Sequence, residues 1–359
     1  MKKKKVYLTL QNGDVFEGYR FGADGSVIGE LVFSTGMVGY VENLTDPSNL
    51  GQLVVCTFPL IGNYGVMPVD AESKKAWVSA LIVREYCETP SNFRCEETLD
   101  AYLKEQGVVG IYGVDTRQLT KILREEGVMN AKISDRSALE DMDDIIEYQV
   151  RDAVKTVAPT EKEVFGEVTA EYTIVLWNFG AKKSTVCDFV KQGCRVISMP
   201  SSATAEEILA EKPDGIVIAD GPGDPLENTA AIEALKKLLG KKPIFGIGLG
   251  HQLVALALGA ETAKQKYGHR GGNQPVRCIE SGRVYISTQN HGYVVLDDTL
   301  KAGKVSFVNV NDGTCEGIEY DELHAFTTQF SPVSCNNGNV VNPLYEKFFA
   351  LMKKEKENA

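Results

Sequence analysis

The sequence lacks any uninterrupted run of about 18 apolar residues, so nothing in it predicts a membrane span. It has eight cysteines, at positions 56, 87, 95, 187, 194, 278, 315 and 335, but no C-x-x-C pair. Zinc sites and thioredoxin-type chemistry are therefore not expected. Positive charge is short: 38 Lys and Arg stand against 49 Asp and Glu, a net charge of −11. An acidic chain repels phosphate backbones, so nucleic acid is not an expected partner, and the Lys run at 2–5 reads as a solvated terminus. The start, "MKKKKVYLTLQNGDVFEG", has no apolar signal core, and a chain this long needs no disulfide staples. These absences predict a reduced, cytoplasmic protein that takes no metal and no cofactor.

What is present suits two globular domains: 359 residues, 43% hydrophobic and 24% charged. The first half mixes strands ("KVYLTL", "ELVFST", "GQLVVCTFP", "WVSALIVREY") with helices. "EETLDAYLKEQG" and "DTRQLTKILREEG" have helical spacing and glycine stops, with Asp115 or Thr116 able to cap the second. "SALEDMDDIIEYQVRDAV" reads as helical, and "APTEKEVFGEVTAEY" as a linker. The second half alternates short apolar strands ("YTIVLWNFG", "CRVISMP", "GIVIAD", "PIFGIG") with helices of 10–15 residues, the pattern of a doubly wound parallel sheet. Antiparallel strands with an "NDG" turn and a closing amphipathic helix follow. The expected fold is α/β: an N-terminal domain over 1–150, a linker over 151–171, and a parallel-sheet domain over 172–359.

The stretch "PIFGIGLGHQ", 243–252, has the build of a nucleophile elbow, but glycine stands at position 248. A dinucleotide loop would need a third glycine where His251 stands and an acidic residue near Lys266 and Tyr267. The Walker pattern G-x-x-x-x-G-K-[ST] occurs nowhere, and "GAKKST" resembles it only superficially. An elbow holds its central residue in a strained turn beside backbone N–H groups that form an oxyanion hole, with Gly246 and Gly250 allowing close packing. Taken alone, "GIGLG" reads more readily as a plain tight strand–helix turn. "GPGDP" adds a second glycine turn at the end of a neighbouring strand, where ligands bind in open α/β sheets. "QNHGY", 289–293, taken alone reads as a hairpin loop with His291 at the surface.

Together these motifs resemble the glutamine amidotransferases with a Cys–His–Glu triad. "STGMVGYVENLTDPSNLGQLVVCTFPLIGNYGV", "TPSNFRCEETLDAYLKEQGVVGIYGVDTRQLTKILREEG" and "VLWNFGAKKS" narrow the resemblance to the small subunit of carbamoyl-phosphate synthase, over nearly the whole chain. That resemblance implies a C-terminal class I amidotransferase domain and a large synthetase subunit as partner. It also implies a role in making carbamoyl phosphate for pyrimidine or arginine synthesis. An intact member hydrolyses L-glutamine through a thioester and passes ammonia to the large subunit. The implied glutamine contacts are Ser48, Gly221, Gly223, Leu249, Gln252, Asn290, Gly292 and Tyr293, the last usually Phe in the family. Backbone groups and amides of this kind can hold a zwitterion without net charge.

The triad itself does not carry over. Gly248 stands where the family has Cys. In "TQFSPVS", Ser331 stands for the base His and Val333 for the orienting Glu, with Phe330 in place of a small glycine. Thiolate attack needs nucleophile, base and orienter within hydrogen-bond reach, and these three residues supply none of the roles. Neither Cys278 nor Cys335 lies in an elbow, and with His324 they read as structural residues and not as a substitute triad. The expectation is a glutaminase-dead small subunit serving an ammonia-dependent or structural role. The alternative is a module that binds glutamine without consuming it, and a less favoured one is an active glutaminase with an unassigned nucleophile.

Overall fold

In the computed structural model, residues 4–332 and 343–358 are described, and the chain divides into two compact units. The first comprises 1–151 with 269–271, and the second 152–268 with 272–359.

The first unit is built on a closed barrel of seven strands in the order β1-β2-β8-β6-β4-β3-β9. Its strands are β1 (Lys5–Leu10), β2 (Val15–Gly22), β3 (Val27–Ser34), β4 (Gln52–Cys56), β6 (Ala80–Val83), β8 (Val109–Tyr112) and β9 (Met129–Ser134). The short strands β5 (Leu60–Ile61) and β7 (Glu85–Tyr86) pair separately. Alternation drives the barrel: Val6, Leu8 and Leu10 of β1 are all fully buried. Closure comes from a long-range antiparallel pairing, Tyr7↔Ser134 to Leu10↔Ala131. The helices are α1 (Tyr40–Thr45), α2 (Leu99–Glu105), α3 (Thr116–Glu126) and α4 (Met142–Glu147). As the sequence suggests, Asp115 caps α3 by accepting from Gln118 N at 3.0 Å, and Gly127 ends it at φ 102°. "SALEDMDDIIEYQVRDAV" is not one helix. A 3₁₀ turn leads into α4, which stops at Tyr148 (ψ 131°), where the Tyr148 carbonyl accepts from Asn130 Nδ2 at 2.9 Å.

The second unit holds a ten-stranded sheet in the order β10-β12-β11-β13-β14-β19-β18-β17-β15-β16. Five strands form the parallel core: β11 (Tyr172–Asn178), β12 (Cys194–Pro200), β13 (Gly215–Ile218), β14 (Ile244–Ile247) and β19 (Ala325–Thr328). Their 2-1-3-4-5 order is the flavodoxin-like version of the doubly wound sheet. The antiparallel flank comprises β15 (Glu261–Cys278), β16 (Val284–Leu296), β17 (Lys304–Asn309) and β18 (Cys315–Tyr320). The segment 151–171, expected as a linker, carries α5 (Ala153–Val157) and β10 (Glu163–Phe165), which pairs with β12 at Glu163↔Ser198.

The apolar runs of the parallel strands follow from burial on both faces. Val175, Trp177, Ile216, Ile218 and Ile244 pack under α7 (Ala205–Ala210), α8 (Thr229–Leu238) and α9 (Leu249–Ala257). Ile174, Leu176, Val217, Phe245 and Phe326 face α6 (Lys183–Lys191) and the closing helix α10 (Pro343–Asn358), whose Phe348 and Met352 are fully buried. Two covered faces leave the carboxyl ends of the strands as the place where loops can build a site.

Candidate functional site

Residue 248 follows β14 and leads directly into α9. Gly248 has φ 55° and ψ −111°, the left-handed, strained backbone of an elbow, which a side chain tolerates poorly and glycine adopts freely. Its N–H donates to the Thr328 carbonyl at 2.9 Å, tying the turn to the end of β19. Close packing completes the geometry. A Cβ on Gly246 would lie 2.9 Å from the Gly250 carbonyl oxygen, and one on Gly250 would lie 2.8 Å from the Ile218 carbonyl carbon. Helix α9 thus sits directly on β13 and β14.

The neighbouring strand β13 ends in Ala219-Asp220-Gly221-Pro222-Gly223. Here the structure adds a residue that the motif reading passed over. Asp220 Oδ1 accepts from Leu249 N at 3.0 Å and from its own neighbour Gly221 N at 2.8 Å. In an elbow, the N–H following the central residue and an N–H from an adjacent loop are the donors expected to meet a developing oxyanion. A carboxylate oxygen occupies that pair here. The available signal was an acidic residue directly before a glycine turn at a strand end. Its partner lies 29 positions away, so the contact depends on β13 and β14 being adjacent.

Other predicted contacts have definite surroundings. Gln252, 3% exposed, donates through Nε2 to the Tyr293 carbonyl at 3.0 Å and to Gln329 Oε1 at 2.9 Å. Leu249 is buried, Gly221, Asn290, Gly292 and Tyr293 are half-buried, and Gly223 is exposed at φ 89°. "QNHGY" is not a hairpin loop but part of β16. Strand alternation carries Gln289 and His291 to one face, and both are buried, so His291 is not a surface histidine. His291 Nε2 meets Gln289 Oε1 at 3.0 Å, and Gln289 Nε2 donates to Glu316 Oε2 at 3.0 Å. Asn309 Nδ2 reaches Glu316 Oε1 at 3.2 Å, which helps to satisfy a fully buried carboxylate. His251 is also fully buried, with Nδ1 2.8 Å from Thr327 Oγ1, and burial pushes its pKa down to about 3. Its imidazole is therefore neutral at neutral pH.

Ser48, in the first unit, follows Asp46, whose carboxylate accepts from Ser48 N at 2.9 Å. Its Oγ is buried and has no hydrogen-bond partner among the described residues.

Of the positions that the sequence resemblance sets against the triad, Gly248 offers no side chain. Ser331 is held by its backbone, Ser331 N donating to the Thr288 carbonyl at 3.0 Å. Val333 lies outside the described residues, as does Cys335. Cys278 ends β15, four strands from β14 in the sheet, or about 19 Å at ~4.8 Å per strand. His324 precedes β19 at the end opposite Gly248, since Ile244 pairs with Ala325 and Ile247 with Thr328. It lies 3.6 Å from Glu355. Neither Cys278 nor His324 is brought to the elbow.

Residues 175–351 match the family model described as glutamine amidotransferase class-I, which defines the class of the second unit. Residues 8–133 match a second model, the carbamoyl-phosphate synthase small chain, CPSase domain. The chain is 47% identical over 348 residues to the carbamoyl phosphate synthase small chain of Clostridium perfringens, covering 96% of this chain and 98% of that one. It is 44% identical over 350 residues to the corresponding chain of Fusobacterium nucleatum, covering 95% and 96%. With the pyrimidine-specific small chain of Bacillus subtilis it shares 43% identity over 354 residues, covering 97% and 96%. The chain belongs to the carbamoyl phosphate synthase small-chain family.

Proposed function

We propose that this chain docks on a large synthetase subunit as the small subunit of a cytoplasmic carbamoyl-phosphate synthase, and that it has lost glutamine hydrolysis. The complex then draws on free ammonia, and the small chain contributes structure. The observation that carries this reading is Gly248: the elbow keeps its backbone form, yet the position that must present a nucleophile has no side chain. Ser331, where the family's base histidine would stand, supports it, as does the placement of Cys278 and His324 away from the elbow. Among the described residues no helix is long and apolar enough to cross a membrane.

The test is to co-express the chain with a large subunit from the same genome. Carbamoyl phosphate formation is then measured with ammonium and with glutamine as nitrogen source. Co-purification and activity with ammonium alone are expected. Glutamine-dependent activity that disappears on Ser331→Ala or Cys335→Ala would sink the proposal.

A second reading, a module that binds glutamine without turnover, draws on the second unit's residues at 221, 223, 249, 252, 290, 292 and 293. Calorimetry with L-glutamine separates the two readings.

A further inference from the structure

We infer that the Asp220 carboxylate is a resident occupant of the elbow's oxyanion-binding N–H pair and thereby bars glutamine from the pocket. The inference rests on reading 243–252 as an amidotransferase elbow.

Three observations carry it. The two donors, Leu249 N and Gly221 N, come from the ends of adjacent parallel strands and converge on a single oxygen, Asp220 Oδ1, at 3.0 and 2.8 Å. These distances match what such donors require for the oxygen of a tetrahedral intermediate. Leu249 is also the first residue of α9, so the helix dipole favours negative charge at this spot.

The third observation concerns space. A Cβ built on Gly248 would lie 2.8 Å from Asp220 Oδ2 and closer still to Oδ1 and Cγ. The carboxylate therefore fills the volume above residue 248 in which an elbow nucleophile would stand. Asp220 can take this position only over a glycine, and a side chain at 248 can be placed only if the carboxylate leaves. The two residues are coupled although they are far apart in sequence.

For a ligand the consequence is direct. The carbonyl oxygen of a bound glutamine amide needs the same two N–H groups. It would have to displace an anion tethered beside them and would face its charge if the displacement were partial. Asp220 is thus the residue that determines what this pocket rejects, and the second reading above is disfavoured.

The experiment is a double-mutant cycle on the full chain combined with calorimetry. Gly248→Ala should lower the melting temperature by several degrees. On an Asp220→Ala background the same substitution should cost less than half as much, because only the backbone strain remains. Asp220→Ala should also bind L-glutamine at least about tenfold more tightly than the unsubstituted chain. If Asp220→Ala does not fold, Asp220→Gly, which likewise places no γ atom over residue 248, carries the same expectations. Additive melting shifts would overturn the inference. So would equal glutamine affinity in both proteins, or no binding in either. Glutamine hydrolysis by the unsubstituted chain would sink the functional reading itself, whereas additive shifts without hydrolysis would sink only the role of Asp220.

Discussion

Replacing Gly250 by alanine sets two effects of opposite sign against each other. Gly250 is the second residue of α9, and alanine is the better helix former by about 1 kcal/mol in a helix interior, less near an end. On propensity alone Gly250→Ala should stabilise. The added Cβ, however, would lie 2.8 Å from the Ile218 carbonyl carbon and 2.9 Å from Ile218 Cβ. Carbon atoms pack at roughly 3.5–4.0 Å, so the shortfall is roughly 0.6–1.2 Å. The obstacle is the backbone of a central strand paired on both sides, so α9 must move instead. That helix buries Leu253, Val254 and Ala255 against the sheet, and overpacking of this kind costs about 1–3 kcal/mol. The net expectation is a loss of about 1–2 kcal/mol, or a melting temperature lower by ~2–8 °C for a unit of this size. Thermal melts monitored by circular dichroism measure it. An unchanged or higher melting temperature would refute the claim that close approach, rather than turn geometry alone, requires glycine at 250.

With Ser331 and Val333 at the base and orienter positions, as proposed, Gly248→Cys alone should release no glutamate from glutamine in the presence of the large subunit. Measurable hydrolysis by that single variant would show that "TQFSPVS" is misaligned with the family's triad motif. Phe348→Ala should cost about 3–5 kcal/mol in denaturant titration, since the ring is fully buried among Phe189, Phe245 and Phe326. Burial raises the Glu42 carboxyl from 4.5 to about 6, and its Oε2 has no partner among the described residues. The folded state thus holds this proton more tightly than the unfolded chain, giving stability present below pH ~4.5 and lost as pH rises through ~6. Glu42→Gln should accordingly leave stability unchanged at pH 4 and raise it by up to about 2 kcal/mol at pH 8, and parallel melts at the two pH values test the sign.

The second unit was legible because its strands and helices announce themselves locally. "YTIVLWN" is apolar at consecutive positions since odd and even residues face different helical layers, and α9 begins where the glycine turn predicts. The barrel was less legible, because its closure rests on pairings such as Tyr7↔Ser134 that no local pattern encodes. "SALEDMDDIIEYQVRDAV" misleads because its helical spacing is overridden at Tyr148 by a hydrogen bond from Asn130 on β9. "QNHGY" misleads in the opposite way. Its Asn-His-Gly composition suggests a turn, yet strand alternation runs through it and the buried Gln289–Glu316 pair holds it in the sheet.

The presence of pocket-type residues does not by itself argue for a ligand here. Gln252 spends both Nε2 donors inside the protein, on Tyr293 and Gln329, and so has a folding role that would retain it without glutamine. Gly248 acts similarly on the backbone. A non-glycine residue held in such a sparsely populated conformation costs about 1–3 kcal/mol, which the turn is spared. Glycine at 248 leaves space that the Asp220 carboxylate takes, with two backbone donors to satisfy it. Placing a side chain at 248 would require introducing the backbone strain and displacing the carboxylate together. An elbow of this kind is more stable with glycine at its centre than with a side chain there, so its backbone form does not by itself argue for catalysis.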